Sequence, residues 1–336
     1  LAAFRHTNSN GPSPFDGHTA QRHKHRQIPL DVSLVNGHYP RASGRVDMRL
    51  DDLDTDVNVE DQRGRGGGGF GFPSGGGGLP LGRSMGCGTF LLIIVAALIF
   101  GVNPMQILGG DANAPTTQVA PQGATGKGCD ADAASRFSCQ VLRSNNLTWN
   151  KQFTDGSFRE PKIVFYAGGG QSGCGAAQSA MGPFYCPADE GIYLDTAFYQ
   201  ELSQRFGAAG DFAQAYVIAH EVGHHIQKLT GRADQVQAAQ QRASRTEGNQ
   251  LQVAMELQAD CYAGVWAAQN RERMEPGDVE EGLRAAHQIG DDVLQRQSQG
   301  VVVPESFTHG SAEQRMSWLK RGLESGDPER CDTFGR

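Results

Sequence analysis

The sequence lacks any dense cluster of Lys and Arg. Its 30 basic residues are outnumbered by 37 acidic ones, which gives a net charge of −7. Without a basic patch, the composition predicts no nucleic-acid partner. Apolar residues are also sparse, as the mean hydropathy of −0.45 indicates. Glycine, which has no side chain to bury, supplies 45 of the 336 residues. We therefore expect much of the first third of the chain to lie outside any packed core.

Long apolar runs are scarce too, and a single stretch is the exception. Residues 84–110 contain no charged residue and have the apolar centre TFLLIIVAALIF. A membrane-spanning helix needs roughly 20 mostly apolar residues, so we predict a transmembrane helix over residues 85–108. Three arginines lie between residues 63 and 83, whereas no Lys or Arg follows the run until Lys127. This asymmetry favours a cytoplasmic N-terminus.

The expected protein is therefore a single-pass protein of the inner (cytoplasmic) membrane, with its C-terminal domain in the periplasm or outside the cell. A cleaved signal peptide is the alternative, because DANA at residues 111–114 offers small residues for cleavage. The long segment ahead of the apolar run favours an uncleaved anchor.

Composition divides the chain into six segments. Residues 1–47 hold five of the ten histidines at irregular spacing. They predict a disordered segment or an over-extended gene model, because the first methionine is Met48. The other predicted segments are a cytoplasmic Gly-rich tether (48–84), the transmembrane helix (85–108), a linker (109–127), a globular domain (128–325) and a C-terminal tail (326–336).

The globular domain begins with strand patterns and continues with helical ones. β-Branched and aromatic residues bounded by Gly and Pro predict strands in PKIVFYAGG (161–169) and GIYLD (191–195). Helix-starting and helix-ending signals predict helices over 211–230, 249–270 and 278–297, with a last helix after Ser311. Strands followed by helices predict an α+β fold.

Six of the seven cysteines follow the apolar run, and Cys87 lies at its edge. An even number of cysteines in an oxidising compartment indicates disulfides, for which 15 pairings exist. We favour the two short loops and the pair that remains: Cys129–Cys139, Cys174–Cys186 and Cys261–Cys331. The alternative is that Cys174 or Cys261 is simply a small buried residue.

The stretch AHEVGHHIQ, residues 219–227, holds three histidines and a glutamate. On a helix, His220 and His224 share one face and can grip one ion, whereas His225 is rotated by roughly 140° from His220. Glu221 flanks the pair and can reach a metal-bound water, so the pattern is H-E-x-x-H, typical of zinc peptidases. His225 is predicted to be a packed or surface residue rather than a ligand.

A catalytic zinc ion needs a third protein ligand and an open position. A third histidine six residues after His224 is excluded, because that position is Thr230. Glu256 and Asp260 share a face of the predicted helix 249–270. We assign Glu256 as the ligand because its longer side chain reaches across between helices, and Asp260 as the partner of a zinc-bound histidine's distal nitrogen. The swapped assignment, with Asp260 on zinc, stays open.

Three motifs carry a resemblance to a known family, namely AHEVGHHIQ, ELQADCYAG and SFTHGSAEQRMSWLKRG. The chain resembles the bacterial putative neutral zinc metallopeptidase family, which has an N-terminal membrane anchor. MRLDDLDTDVNVEDQRG resembles that family's N-terminus, which supports Met48 as the start, and the likeness covers about 48–325. More distantly the motifs are similar to gluzincins, which implies a zincin-like fold whose edge strand aligns the substrate; GIYLD is the candidate strand.

The motif and the resemblance together predict a zinc endopeptidase domain over 128–325 that acts on peptides or unfolded proteins. Glu221 is the expected general base. His309 is the leading candidate for stabilising the oxyanion, followed by Arg315, with Tyr193 a further option. His287 is expected to be an ordinary helix residue. Two other functions are weighed: a catalytically silent, membrane-tethered zinc-binding module, and a zinc hydrolase of small amides. An intact Glu221 argues against the first.

Overall fold

Eight α-helices and six β-strands form the regular structure of residues 48–64, 127–204, 207–208 and 210–335, which the computed structural model describes. The helices are α1 (Ala133–Gln152), α2 (Phe198–Gln204), α3 (Asp211–Leu229), α4 (Arg232–Gln240), α5 (Arg245–Gln269), α6 (Asp278–Gln288), α7 (Asp291–Gln299) and α8 (Ala312–Ser325). The strands are β1 (Val59–Asp61), β2 (Lys162–Phe165), β3 (Gly169–Ser172), β4 (Gly175–Gln178), β5 (Phe184–Cys186) and β6 (Gly191–Leu194). A small sheet packed with helices confirms the α+β class.

Four of the strands form one sheet in the order β1-β2-β6-β5. β1 and β6 both run parallel to β2, and β5 runs antiparallel to β6 with Tyr185 opposite Ile192. The expectation that GIYLD forms the edge strand is therefore wrong, because β6 lies between β2 and β5. The short strand β5 occupies that edge of the sheet.

Alternating side chains of the sheet enter two separate cores, as the two-residue period of a strand requires. One face packs into the main helical core through Ile163, Phe165, Tyr185, Ile192 and Leu194. The other face packs beneath the β3–β4 hairpin through Val164, Tyr166, Phe184, Cys186 and Tyr193. The central strands are thus covered on both sides.

Helices α3 and α5 lie antiparallel and very close together. Contacts run in opposite directions along the two helices, since His220 meets Asp260 and Gln227 meets the Met255 carbonyl. Gly223 permits this approach, because a Cβ atom there would lie 2.8 Å from the Ala259 Cα. The close crossing brings the histidine motif onto the acidic pair.

Two predicted helix assignments differ from the structure. The single helix expected over 278–297 is two helices, α6 and α7, separated at Gly290. Gly290 lies against the first residue of α8, because a Cβ atom at Gly290 would lie 2.3 Å from the Ala312 backbone nitrogen. The chain turns between α6 and α7 at this contact. The segment between the helices predicted over 211–230 and 249–270 contains a further helix, α4.

The segment 48–64 is part of the folded domain, so the prediction of a tether over 48–84 is wrong for these residues. Leu50 is 1% exposed and packs in the main core, and β1 pairs with β2. The Arg63 side chain donates to the Asp61 carboxylate and the Gly128 carbonyl. The described residues from Met48 onward accordingly group as a single compact unit, which starts well before residue 128.

The C-terminal residues also belong to the domain rather than to a tail. A short 3₁₀ helix covers Pro328–Cys331, and Cys331 is fully buried. All three expected disulfides are confirmed, with Cα–Cα distances of 5.9 Å for Cys129–Cys139, 5.8 Å for Cys174–Cys186 and 5.6 Å for Cys261–Cys331.

Several predictions fall on residues outside the described ranges. They concern residues 1–47, the transmembrane helix over 85–108, most of the linker over 109–127, and Cys87. None of the helices in the described part of the chain is long and apolar enough to span a membrane.

Candidate metal centre

The close crossing of α3 and α5 brings His220, His224 and Glu256 together. The His220 Nε2 atom lies 3.2 Å from Glu256 Oε2, and the His224 Nε2 atom lies 3.6 Å from Glu256 Oε1. Two atoms bound to a tetrahedral zinc ion at about 2.0–2.1 Å lie about 3.4 Å apart. Two imidazoles and a carboxylate at this spacing fit the donor set and the size of a zinc site.

The charges around this cluster favour a cation. Burial would lower the pKa of His224, but the Glu256 and Glu221 carboxylates raise it to about 9. Burial would likewise raise the pKa of Glu256, but the neighbouring His224 and His309 imidazoles hold it well below its usual range. The buried cluster therefore stabilises an ionised carboxylate and draws positive charge towards it.

Each histidine ring is oriented by a partner on its other nitrogen. The His220 Nδ1 atom lies 2.8 Å from Asp260 Oδ1, and the His224 Nδ1 atom lies 2.9 Å from Gln227 Oε1. Since carboxylate and amide oxygens only accept, both Nδ1 atoms donate and both Nε2 atoms are left to bind a metal.

Asp260 lies behind His220 and is held by two further side chains. Tyr216 donates its hydroxyl to Asp260 at 2.6 Å, and Arg315 makes two hydrogen bonds to the carboxylate at 2.9 Å. Burial would raise the pKa of Asp260, but Arg315 and His220 lower it to about 2. The swapped assignment would require this carboxylate to turn away from Arg315 and His220.

Arg315 does not lie where an oxyanion donor would be needed. It is 2% exposed, and its guanidinium is engaged with Asp260 and Tyr216. Close packing of α8 on α5 holds it there, because a Cβ atom at Gly322 would lie 1.9 Å from the Cys261 carbonyl oxygen. The structure therefore places Arg315 as a partner of Asp260.

Glu221 lies beside the metal cluster without joining it. Its side chain is buried, and the backbone N–H of Tyr185 on the edge strand β5 acts to lower the pKa of its carboxyl. Burial raises the pKa of Glu221, although the His220 and His224 imidazoles pull it down. A carboxyl with a raised pKa next to a metal site is suited to proton transfer.

His309 lies in the loop between α7 and α8, close to Glu256. The Asp291 carboxylate accepts the backbone N–H groups of Thr308, His309 and Gly310 at 2.7, 2.6 and 3.1 Å. Burial would lower the pKa of His309, but Glu256 and Asp291 raise it above its usual range. His309 is thus held as a hydrogen-bond donor near the cluster.

The remaining candidates lie elsewhere. Tyr193 points to the hairpin side of the sheet and donates its hydroxyl to Asp189 at 2.5 Å, so it is not available to the metal cluster. His287 lies in α6, outside the cluster. His225 is completely buried and points to β5, where its Nδ1 atom lies 2.9 Å from the Tyr185 hydroxyl.

Sequence reasoning missed two residues of the site. Tyr216 precedes His220 by four residues, and Gln227 follows His224 by three, so both share a helix face with the histidine that they support. Helical spacing could have indicated them as neighbours. Their hydrogen-bond partners lie on α5 and are brought close only where the two helices cross. Nothing in the local sequence indicates those partners.

The chain is similar to bacterial proteins of one family. A family model described as "Putative neutral zinc metallopeptidase" matches residues 48–334. The uncharacterized protein YpfJ of Escherichia coli strain K12 is 49% identical over 262 residues, which cover 77% of this chain and 89% of YpfJ. The uncharacterized protein Mb2605 of Mycobacterium bovis is 39% identical over 259 residues, which cover 71% of this chain and 85% of Mb2605. No solved structure matches the chain.

Proposed function

We propose that this chain, which belongs to the putative neutral zinc metallopeptidase family, is a zinc-dependent endopeptidase acting on peptides or unfolded proteins. One observation carries the proposal. Donor atoms of His220, His224 and Glu256 lie within 4.8 Å of one another, beside a buried carboxylate, Glu221, that is not one of them. A purely structural zinc site has no use for such a base.

Zinc held by these three residues would polarise the scissile carbonyl and acidify a water molecule. Glu221 takes the proton of that water on its carboxylate and hands it to the leaving amine. Burial favours this role because it raises the pKa of the carboxyl. Asp260 and Gln227 keep the two imidazole rings turned so that their Nε2 atoms face the metal.

His309 is the proposed donor to the oxyanion that develops on the carbonyl oxygen. Its raised pKa keeps a proton on the ring. The Asp291 carboxylate fixes the loop that carries it through the backbone bonds at residues 308–310. A preorganised hydrogen-bond donor of this kind stabilises developing negative charge without having to reorganise during the reaction.

The substrate backbone is proposed to lie along β5 in a zincin-like arrangement. β5 is a sheet edge beside Glu221, and an edge strand presents backbone groups that an extended peptide can pair with. Tyr185, the middle residue of β5, lies close enough to Glu221 for its backbone N–H to lower the pKa of that carboxyl. A peptide bond aligned on this edge would therefore pass close to the general base.

The domain is proposed to work outside the cytoplasm. Three disulfides within one domain favour an oxidising compartment. Attachment to the inner membrane stays a prediction for residues outside the described ranges.

The first test is zinc analysis of the purified chain together with digestion of an unfolded protein. We expect one zinc ion per chain and zinc-dependent cleavage. Glu221→Gln should keep zinc and lose turnover by orders of magnitude, because the base is gone and no ligand is lost. Glu313→Gln, an exposed residue of α8, serves as the matched control and should behave as wild type.

Three other outcomes would contradict the proposed mechanism or the proposed function. Near wild-type cleavage by Glu221→Gln would show that the mechanism is wrong. Stoichiometric zinc with no cleavage of peptides or proteins would favour the silent binding module. Cleavage restricted to small amides would favour the amide hydrolase.

A further inference from the structure

The third histidine of the motif, His225, is buried completely and makes two hydrogen bonds. Its Nδ1 atom lies 2.9 Å from the Tyr185 hydroxyl, and its Nε2 atom lies 2.6 Å from the Arg159 carbonyl oxygen. The rings of Phe158 and Tyr185 meet it edge-on. All of these contacts face away from the metal cluster, towards β5 and the segment before β2.

The Arg159 carbonyl determines which ring nitrogen of His225 carries a hydrogen. A carbonyl oxygen only accepts, so Nε2 must carry the hydrogen that goes to Arg159. Nδ1 then faces the Tyr185 hydroxyl, which can donate to it. This tautomer is the opposite of that in His220 and His224, whose Nδ1 atoms donate.

Tyr185 meets α3 at two positions, one helical turn apart. Its hydroxyl lies 2.9 Å from His225 Nδ1, and its backbone N–H acts on the Glu221 carboxyl to lower its pKa. Tyr185 is the middle residue of the three-residue edge strand β5, which has only β6 beside it in the sheet. The side-chain bond therefore determines where the backbone N–H lies relative to the base.

We propose that His225 is a positioning residue for Glu221: its ring holds Tyr185, and with it the edge strand β5, against α3 beside the base. This inference rests on the proposed peptidase function. It assigns a role to the histidine that the metal does not use. His225 makes no hydrogen bond to a metal ligand, and it acts through Tyr185 on β5, the strand along which the substrate is proposed to lie.

Loss of the ring should harm turnover more than metal binding. Without its anchor, β5 can shift, and a misplacement of about 1 Å at a catalytic group can cost on the order of 100-fold in rate. The metal ligands keep their own partners, Asp260 and Gln227, so zinc should stay bound.

The experiment compares four variants of the full chain with wild type. His225→Leu removes both hydrogen bonds, and Tyr185→Phe removes only the hydroxyl. His225→Gln is the conservative variant, since its amide can accept from Tyr185 and donate to Arg159. His287→Gln, on α6, is the matched control. For each we would measure zinc content, kcat, KM and thermal unfolding.

We expect His225→Leu and Tyr185→Phe to keep zinc and lose kcat by about 10- to 100-fold. His225→Gln should recover most of that loss, and His287→Gln should match wild type.

Several results would overturn the inference. They are unchanged kcat in Tyr185→Phe, a loss of zinc in His225→Leu, or failure of His225→Gln to recover activity although it folds. Should His225→Leu not fold, Tyr185→Phe decides, because it removes a single oxygen atom. Wild-type protein that binds zinc but cleaves nothing would refute the proposed function itself, and the role of His225 as a positioning residue with it.

Discussion

At the metal cluster, the two histidines are supported by partners of different charge. His220 faces the ionised Asp260, whereas His224 faces the neutral amide of Gln227. The negative charge of Asp260 is itself balanced by the buried Arg315. The arrangement fixes both rings while keeping the buried charge close to neutral, because an unpaired carboxylate at this depth would be costly.

Asp291 offers a residue-scale prediction about pH. Its buried carboxylate accepts three backbone N–H groups and lies 3.4 Å from the His309 Nδ1 atom. Burial would raise the pKa of Asp291, but His309 and the N–H groups lower it. Asp291→Asn should therefore reduce the free energy of unfolding by about 1.5–3 kcal/mol, the range for hydrogen bonds to charged groups.

The sign of the pH dependence follows from both partners. Because its pKa is lowered, ionised Asp291 stabilises the folded protein above about pH 3.9, the pKa of an unfolded aspartate. That stabilisation is lost as the pH falls through the pKa of Asp291 in the folded protein. The pKa of His309 is raised, so the stability contributed by its protonated ring is complete below about pH 6.5, the pKa of an unfolded histidine. That contribution is lost as the pH rises through the pKa of His309 in the folded protein.

The difference in the free energy of unfolding between wild type and Asp291→Asn should therefore be largest between about pH 4 and 6.5. Denaturant unfolding of the zinc-free proteins across this range would measure it, with Glu305→Gln, at an exposed position, as the control. A difference that grows steadily above pH 7 would contradict the assignment.

At the scale of elements, three glycines let helices approach until their backbones touch. Gly223 lies against α5, and Gly264 and Gly322 lie between α5 and α8. These contacts place Asp260 between His220 and Arg315, since the three residues come from three different helices. The site thus depends on helix separation as much as on its own side chains.

Gly264→Ala tests this packing. The added Cβ atom would lie 2.1 Å from the Leu319 carbonyl oxygen, so α8 must move and carry Arg315 away from Asp260. We expect a loss of about 1–3 kcal/mol or more in the free energy of unfolding, as for an overpacked core, and weaker zinc binding.

Gly248→Ala, on the same helix, is the matched control. Nothing lies within 4 Å of the position of its Cβ atom, and replacing glycine by alanine within a helix should stabilise it by about 0.5–1 kcal/mol. Denaturant unfolding and zinc titration of both variants would measure the contrast. Equal free energies of unfolding for Gly264→Ala and Gly248→Ala would show that α8 can move to accommodate the added methyl group without destabilising the protein.

At the scale of the whole molecule, the N-terminal strand constrains where the chain can meet a membrane. The described residues break off after Gly64 and resume at Lys127. These points are neighbours, since Gly128 donates its backbone N–H to Asp61 at 2.7 Å. A single membrane crossing between them would put β1 and β2 on opposite sides, which their pairing forbids.

We therefore expect residues 48–64 and the metal cluster to lie on the same side of any membrane. Asp51→Cys and Lys151→Cys, both at exposed positions, can be labelled in intact cells with a membrane-impermeant maleimide. In a Cys87→Ser background the two should react alike. Labelling of Lys151→Cys alone would mean that β1 is not paired with β2 in the membrane-bound protein, and would restore the single-pass orientation.

Local patterns in the sequence predicted a substantial part of the fold and of the candidate site. The histidine pair and the acidic pair each follow helical spacing, which depends only on the rotation per residue. Two of the disulfides close short loops, and the third then follows by elimination. The α+β class followed from the order of strand and helix patterns along the chain. These features need no knowledge of distant residues.

Tertiary structure alone decided the rest. Strand order could not be foreseen, because three residues at Phe184–Cys186 carry too little pattern to compete with GIYLD for the edge. The packing of residues 48–64, the pairing of Arg315 with Asp260 and the bond from His225 to Tyr185 join positions far apart in sequence. Such contacts are selected by the combined packing of the whole core, so no local stretch of sequence records them.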